Sequence, residues 1–174
     1  PELHRNKQFK LPKLHNTQIF NCDFFDDQSI FWQKGMKFDV VVGNPPWFEL
    51  KEGNEKEHFV KTWMEANKAK YTISDNRVSE AFSWRVLEVL RERGCAALIL
   101  PAKTLYNQKA QKHRKHFFSY NTVYKITNFS NLRHVLFGGR AVAPAITMLF
   151  RKAKQKEIKP PIIHCGPFRV NQVT

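Results

Sequence analysis

Asn44, Pro45, Pro46 and Trp47 are the residues whose types and spacing are best suited to chemistry. The two prolines have no backbone N–H, so the loop offers the Asn44 amide oxygen and the Pro45 carbonyl as acceptors with little donor competition. Two acceptors match the two N–H groups of an exocyclic amine on a planar ring, and the Trp47 indole gives that ring a face to stack on. Such a site would localise the nitrogen lone pair and activate the amine as a nucleophile.

The segment that positions this loop, FDVVVG at residues 38–43, predicts a buried strand. Its three consecutive valines are typical of a parallel strand covered on both faces. Gly43 and the two prolines prevent the strand from continuing, and Pro45 holds Asn44 in an extended conformation. The loop is therefore expected at the carboxyl end of a strand, where open α/β sheets bind their ligands.

The strand followed by Asn44–Trp47 resembles the catalytic motif of the S-adenosylmethionine-dependent amino-methyltransferases, above all the DNA adenine-N6 enzymes of bacterial restriction-modification systems. In that family the Asn side chain and the first Pro carbonyl bind the target amine, and the aromatic residue stacks on a flipped base. The resemblance implies catalytic roles for Asn44, Pro45, Pro46 and Trp47, with Asn44 also beside the cofactor S-adenosylmethionine. Asn at the first position favours adenine, whereas cytosine-N4 members more often begin with Ser.

A second element precedes the loop. The segment Thr17–Phe25 predicts a short strand that leads to an acidic residue and an aromatic pair. It resembles the family segment in which an Asp after the third strand accepts a hydrogen bond from the adenine amino group of the cofactor. The resemblance implies that Asp23 binds the cofactor and that Phe24 forms a wall of its pocket. The alternative is that Asp23 only caps a turn.

The remainder of the chain predicts alternating helix and strand. Apolar residues at helical spacing predict an amphipathic helix over residues 76–93, which Gly94 would end. A buried strand is expected at residues 95–100, and two further strands are expected at residues 123–129 and 141–150. Ile162 and Ile163 are expected to begin a further strand.

The segment before the last long strand contains Phe137, Gly138, Gly139 and Arg140. In the adenine-N6 enzymes a Phe in this position forms the second wall of the base pocket, so the resemblance implies substrate binding by Phe137. The glycines would allow the backbone to approach a ligand closely, and Arg140 would reach a phosphate. The alternative is that Phe137 is an ordinary hydrophobic residue that anchors this loop.

The charge balance favours a nucleic-acid partner. The 29 Lys and Arg residues exceed the 15 Asp and Glu residues by 14. Two basic clusters stand out, and a phosphate backbone, here that of duplex DNA with a flipped adenine, is the expected counterpart. They are Lys109, Lys112, Arg114 and Lys115, and then Arg151, Lys152, Lys154, Lys156 and Lys159. A solvated helix face and a flexible linker explain the two clusters equally well. His113 and His116 have no Cys or carboxylate partner nearby in sequence, so no metal site is predicted.

The three cysteines are widely spaced and form no CxxC pair, which favours a reducing compartment without disulfides. No apolar run has the length of a membrane span, and the first residues are polar and basic rather than those of a signal peptide. A cytoplasmic protein that does not enter a membrane is therefore expected.

The fold class expected is α/β, with the Rossmann-like sheet of a class I methyltransferase. Enzymes of this class have the strand order 3-2-1-4-5-7-6, with strand 7 antiparallel. The chain has seven glycines and no G-x-G, so the glycine-rich loop that binds the methionine part of the cofactor is missing. We expect residues 1–152 to be the C-terminal part of a methyltransferase domain that lacks strands 1 and 2, and residues 153–174 to be a linker and the start of a following region, with target recognition as one role for it. The isolated segment should be inactive without the remainder of its parent polypeptide.

Three other functions remain open at this point. Related loops occur in methyltransferases that modify a glutamine amide in release factors, although the excess positive charge argues against a protein substrate. Methyltransferases that act on amines of RNA bases would also be basic. From a different class, the chain could be an inactive remnant that only binds nucleic acid.

Overall fold

The computed structural model describes residues 13–51, 57–137, 143–153 and 158–167. The chain divides into two compact units, Pro1–Met36 and Lys37–Thr174. In the first unit, the helix α1 (Ile30–Gln33) carries Phe31 and Trp32, which pack against Phe24. The short strand predicted in the segment Thr17–Phe25, ahead of Asp23, is absent from the described part of this unit. A tight turn replaces it: the only pairing at Ile19 is an isolated bridge to His15, and the backbone N–H groups of residues 16–19 bond within the turn.

The second unit is built on an open five-stranded sheet in the order β1-β2-β4-β3-β5. Strand β4 is antiparallel to both of its neighbours, whereas β1 is parallel to β2 and β3 is parallel to β5. The strands are β1 (Phe38–Gly43), β2 (Leu90–Pro101), β3 (Asn121–Asn128), β4 (Ala145–Lys152) and β5 (Ile163–Cys165). The order β1-β2-β4-β3 is the one expected for strands 4-5-7-6 of a class I methyltransferase, and the α/β fold class is confirmed.

Short and medium helices connect these strands. The parallel strands β1 and β2 are joined through α2 (His58–Asn67) and α3 (Val78–Arg85), with a 3-10 turn at Val86–Glu88. Between β2 and β3 lie α4 (Lys103–Tyr106), a 3-10 turn at Gln108–Ala110 and α5 (Gln111–Tyr120). Between β3 and β4 lie a 3-10 turn at Ser130–Leu132 and α6 (Arg133–Leu136).

An aromatic core packs α3 and α5 against the sheet. Trp84 is fully buried on α3, stacks on Tyr71 with ring centroids 4.6 Å apart, and meets Phe117 of α5 at 4.9 Å. Phe117 in turn contacts Phe150 of β4 at 5.0 Å. Aromatic rings bury large apolar areas and gain further from edge-to-face contacts, so this cluster fixes both helices on one face of the sheet.

The strand β1 is less covered than its three valines predict. Val40 is 60 % exposed and Val42 is 73 % exposed, so burial on both faces is wrong for this strand in the described structure. The reason is positional, because β1 lies at the edge of the sheet and pairs with β2 alone. On β2 the residues that face the helices are buried, as Ala96 and Leu98 are, whereas Ala97 between them is only half-buried.

The helix predicted over residues 76–93 ends earlier than expected. Its α-helical part stops at Arg85, and β2 begins at Leu90. Gly94 does not cap a helix but lies within β2, beside a register shift between β1 and β2. A Cβ at Gly94 would lie 2.7 Å from the carbonyl oxygen of Phe38, so a side chain is excluded by the close approach of the two strands. The apolar spacing misled because buried Val89 and Leu90 continue it into the strand.

The later strands agree with the sequence within a few residues. The predicted strand at residues 123–129 is β3, and the one at 141–150 is β4, which begins at Ala145. The strand expected from Ile162 is β5, and it pairs with β3 in the same sheet. Within the described ranges, no helix is both long enough and apolar enough to cross a membrane.

Candidate active site

The loop Asn44–Trp47 leaves the sheet at the carboxyl end of β1. Because β1 is parallel to β2, with Gly43 opposite Leu98, the carboxyl ends of both strands lie at the same edge. Pro45 is buried and fixes the loop, whereas Asn44 is exposed. The predicted position of the loop is therefore observed, at the edge of the sheet where ligands bind in α/β folds.

Trp47 is held against the neighbouring strand. Its indole Nε1–H donates to the carbonyl oxygen of Ile99 in β2, at 3.3 Å, and the side chain is half-buried. The ring of Phe137 lies at right angles to the indole, with centroids 5.6 Å apart and an interplanar angle of 89°. Phe137 thus meets Trp47 although 90 residues separate them in the sequence.

A cavity of about 350 Å³ opens beside these rings. It is lined by Asn44, Pro45, Pro46, Trp47, Phe137 and Ala143. All four loop residues and the predicted second wall therefore border one space. Its polar atoms include the Asn44 amide, and its apolar walls are proline and aromatic rings. This combination can bind a flat ring that carries an amine.

A second cavity, of about 460 Å³, shares Trp47 and Ala143 with the first. Its other walls include Lys103, Tyr106 and Asn107, around the helix α4. The Tyr106 hydroxyl accepts a hydrogen bond from the Asn128 side-chain amide at 2.8 Å. These residues were not predicted, since neither a motif nor a periodic pattern in the sequence includes them.

The residues just after the loop are bound to the first residue of α3 and to the turn before it. The N–H of Val78 donates to the Phe48 carbonyl at 3.1 Å, and the N–H of Leu50 donates to the Asn76 carbonyl at 3.0 Å. Glu49, between them, accepts hydrogen bonds from Lys103 and Arg77, which lower the pKa of its carboxyl group. Glu49 is therefore an anion at neutral pH. This network was also missed from sequence.

Of the residues predicted to bind the cofactor, Asp23 and Phe24 lie in the first unit and Asn44 lies in the second. The Oδ1 atom of exposed Asp23 accepts the backbone N–H of Phe25 at 2.7 Å, which is the geometry of a local turn. Phe24 is half-buried and its carbonyl accepts the indole N–H of Trp32 at 2.8 Å. Arg140, Gly138 and Gly139 lie outside the described residues.

The basic residues of the first cluster divide into two kinds. Lys109, Lys112 and Lys115 are exposed at and along α5 and can face a phosphate backbone. Arg114 is used within the fold, because its guanidinium donates to the carbonyls of Thr104 and Asn107 at 3.2 and 2.6 Å. Of the second cluster, Arg151 binds the Tyr124 hydroxyl and Lys159 binds the Phe118 carbonyl.

The two histidines of α5 serve the core. The buried His113 ring bonds to the Thr72 carbonyl at 2.8 Å, and the His116 ring to the Thr72 hydroxyl at 3.0 Å. Burial lowers the pKa of His113. In the described ranges, no group of three or more His, Cys, Asp or Glu residues is arranged to hold a metal ion.

A family model described as "Eco57I restriction-modification methylase" matches residues 3–135 of the chain. Among curated proteins, the type II restriction enzyme and methyltransferase RM.Eco57I of Escherichia coli is 24 % identical over 139 residues. That match covers 79 % of this chain and 13 % of RM.Eco57I, so the chain spans about an eighth of the length of this relative.

Solved structures share the fold. The cryo-EM structure of a DrdV–DNA complex superposes with a TM-score of 0.58 at 13 % identity, over 83 % of this chain and 17 % of that one. A candidate class I S-adenosylmethionine-dependent methyltransferase from Listeria monocytogenes superposes with a TM-score of 0.55 at 14 % identity. The latter match covers 75 % of this chain and 37 % of the Listeria protein.

Proposed function

We propose that this chain, which belongs to the Eco57I restriction-modification methylase family, carries the amine-binding part of an enzyme that methylates N6 of adenine in DNA. S-adenosylmethionine is the expected cofactor, since methyltransferases that depend on it share the fold. The observation that carries the proposal is the shared cavity of Asn44, Trp47 and Phe137 at the carboxyl end of β1.

The adenine would be held in this cavity by one stacking contact and one edge contact. Because the rings of Trp47 and Phe137 are perpendicular, a base that stacks on the indole meets Phe137 edge to face and not as a second parallel plate. Stacking on one aromatic ring contributes about 1–3 kcal/mol per base. Extracting the base from the duplex costs a few kcal/mol, so this contact offsets much of that cost.

Asn44 and Pro45 would bind the exocyclic amine. The Asn44 amide oxygen and the Pro45 carbonyl accept one N–H each, which draws the nitrogen toward a tetrahedral geometry and directs its lone pair outward. When bound, S-adenosylmethionine supplies an electrophilic methyl group. Positioning of the amine provides most of the rate enhancement, so the chain needs no charged general base in the cavity.

The described residues fit the amine side of this reaction better than the cofactor side. We propose that Asp23 and Phe24 meet the adenine of the cofactor, because Asp23 is exposed and a single oxygen of its carboxylate accepts the Phe25 N–H. The sequence has no G-x-G to hold the methionine part. We therefore propose that residues 1–152 are part of a larger catalytic domain, that residues 153–174 lead into a following region, and that the chain alone is inactive.

DNA as the substrate is supported by the positive charge and by a relative. Lys103 lines the second cavity, and Lys109 and Lys112 are exposed on the segment that follows, so cations lie beside the site, and two of them, Lys103 and Lys109, also face the carboxylates of Glu49 and Asp75. The DrdV protein, whose structure is similar, was solved in complex with DNA. We propose that Arg140 adds a phosphate contact next to Phe137.

The test is to identify the product of the full-length parent protein. The parent is incubated with duplex DNA and labelled S-adenosylmethionine, the DNA is digested to nucleosides, and the labelled species is identified by mass spectrometry. N6-methyladenine is expected. Label in RNA or in a protein glutamine would keep the amine chemistry but reject the substrate, and DNA binding without label in any acceptor would indicate an inactive binding module.

A further inference from the structure

The side chain of Arg77 is buried and forms the centre of a charge network next to the proposed site. Arg77 is only 2 % exposed, and each of its three guanidinium nitrogens faces a different carboxylate. Nε lies 3.2 Å from Glu49 Oε1, Nη2 lies 2.8 Å from Asp75 Oδ2, and Nη1 lies 3.4 Å from Glu80 Oε1. These carboxylates come from three segments. Glu49 follows the Asn44–Trp47 loop, Asp75 lies in the turn before α3, and Glu80 lies in α3 itself.

The network is balanced in charge. Lys103 Nζ lies 2.8 Å from Glu49 Oε1, and Lys109 Nζ lies 4.0 Å from Asp75 Oδ1. Three cations, Arg77, Lys103 and Lys109, thus face three carboxylates, Glu49, Asp75 and Glu80. A buried guanidinium is tolerated only when it is paired and hydrogen-bonded, so these carboxylates determine where Arg77 lies.

The turn that presents Arg77 is itself unusual. Asp75 and Asn76 both adopt left-handed backbone conformations, with φ of 47° and 52°. Asp and Asn tolerate this region better than other non-glycine residues, but it still needs support from neighbouring contacts. The Arg77–Asp75 ion pair and the hydrogen bond from the Arg77 N–H to the Ser74 carbonyl, at 3.0 Å, supply that support.

The network is connected to the Asn44–Trp47 loop by the short stretch of chain that ends at Glu49. Glu49 lies two residues after Trp47, and it forms an antiparallel bridge with Arg77. The entry of the loop is fixed by β1, which is paired with β2 up to Gly43. Because the Arg77–Glu49 contact fixes the exit, both ends of Asn44–Trp47 are held by long-range contacts.

We propose that Arg77 is a positioning residue for this site: by holding Glu49 it keeps Asn44 and Trp47 in the geometry that methyl transfer requires. The inference rests on the proposed function. Only arginine suits this role, because its planar fork presents donors in three directions, whereas lysine places one nitrogen in the same space.

The test uses the full-length parent and the variant Arg77→Lys, which keeps the buried positive charge. Steady-state kcat and KM are measured for methyl transfer, together with the thermal unfolding temperature and the fluorescence of 2-aminopurine placed at the target base. We expect kcat to fall about tenfold to a hundredfold, because displacement of reacting groups by about 1 Å has effects of this size. The KM for S-adenosylmethionine should change less than about twofold, since the Arg77→Lys substitution acts on the loop proposed to bind the amine.

Arg85→Lys is the matched control. Arg85 is buried to a similar extent, at 3 % exposed, and its guanidinium pairs with Glu88 at 2.8 Å. It is the last residue of α3, whereas Arg77 immediately precedes the first residue of that helix. Both variants should lower the unfolding temperature, while Arg85→Lys keeps the kcat of the parent. A merely structural role for Arg77 would make the two variants alike.

Glu49→Gln provides a second variant that preserves folding, because the Glu49 side chain is 45 % exposed. It should reduce kcat in the same direction as Arg77→Lys and by a smaller factor. An active parent whose kcat is unchanged in both variants would overturn this inference alone. A parent that transfers no methyl group to DNA would overturn the proposed function and this inference with it.

Discussion

The Asn44–Trp47 loop and the turn at Asp23 carry the residues proposed to meet the two reactants, and they are held in different ways. The loop is tied to distant parts of the chain: β1 enters it from the sheet, Trp47 bonds to Ile99, and Glu49 bonds to Arg77. The Asp23 turn is closed by a local bond to Phe25, two residues away. Long-range contacts therefore fix the proposed amine side, whereas the described contacts at Asp23 are local.

We infer from this difference that the described residues support binding of the amine more completely than binding of the cofactor. A site that must hold an aromatic amine within a fraction of an ångström needs support from rigid elements, and β1 and β2 give that support. The proposed cofactor side has a carboxylate, that of Asp23, and an aromatic ring, that of Phe24, but the sequence has no glycine-rich loop. We propose that another part of a longer protein completes it, in line with the small share of its relatives that the chain spans.

The largest expected effect comes from Asn44→Ala in the full-length parent. Loss of a preorganised hydrogen-bond partner of the reacting amine should reduce methyl transfer by at least about a hundredfold to a thousandfold. DNA affinity should stay within about twofold, because phosphate contacts supply most of it. Single-turnover methyl transfer and a DNA-binding titration measure the two quantities.

Asn67→Ala is the matched control for that variant, because Asn67 lies at the end of α2, where its side chain donates to the Trp63 carbonyl. It should retain most of the transfer rate. An Asn44→Ala enzyme that kept most of its turnover would remove the proposed role of the loop.

Trp47→Leu should have the next largest effect. It removes a stacking contact of about 1–3 kcal/mol, which corresponds to about a fivefold to 150-fold weaker capture of the flipped base. The fluorescence change of 2-aminopurine at the target position reports this capture, and S-adenosylmethionine binding should be unaffected. Trp47→Phe retains a ring and should lose less; equal losses in the two variants would argue against stacking.

Asp23→Asn tests the other side of the comparison. Replacement of a charged acceptor by a neutral one should weaken S-adenosylmethionine binding by about tenfold while base capture is unchanged. Asp26→Asn is a close control, because Asp26 Oδ1 accepts the Gln28 N–H at 2.9 Å in the same kind of turn. Calorimetric titration of the parent and both variants would show equal affinities if Asp23 only caps its turn.

The smallest expected effect is a dependence of the free energy of unfolding on pH, through the buried side chain of His113. Burial lowers the pKa of His113, which lies 3.5 Å from Glu80 and bonds to the Thr72 carbonyl. Below about pH 6.5 the unfolded chain therefore binds a proton that the folded chain does not, so the free energy of unfolding should decrease as the pH falls from about 6.5. His113→Gln should flatten this slope in thermal unfolding between about pH 7 and pH 5, and an unchanged slope would contradict the assignment.

The sequence predicted the parts of the molecule that depend on local signals. The strand β1, the loop after it and the later strands follow from apolar runs and from prolines, and Phe137 was placed through resemblance to the family. The helix end was wrong because Gly94 serves the close approach of β1 and β2, a contact that spacing does not reveal. The strand at Thr17–Phe25 was wrong because local turn bonds prevail there.

The charge network could not be predicted from sequence. Arg77 and Glu49 lie 28 residues apart and belong to no periodic pattern. Buried ion pairs of this kind depend on the path of the chain between two elements, which only the folded structure specifies. Tyr106 of the second cavity and its hydrogen-bond partner Asn128 were missed for the same reason.

Titration of S-adenosylmethionine into residues 1–174 and into the full-length parent tests most directly the proposal that these residues support the amine side but not the complete cofactor side. Circular dichroism establishes that both proteins are folded. We predict binding by the parent and no detectable binding by residues 1–174, because we propose that another part of the protein supplies the glycine-rich loop. Binding of equal affinity by a folded 1–174 segment would contradict this proposal and would place the whole cofactor site within these residues.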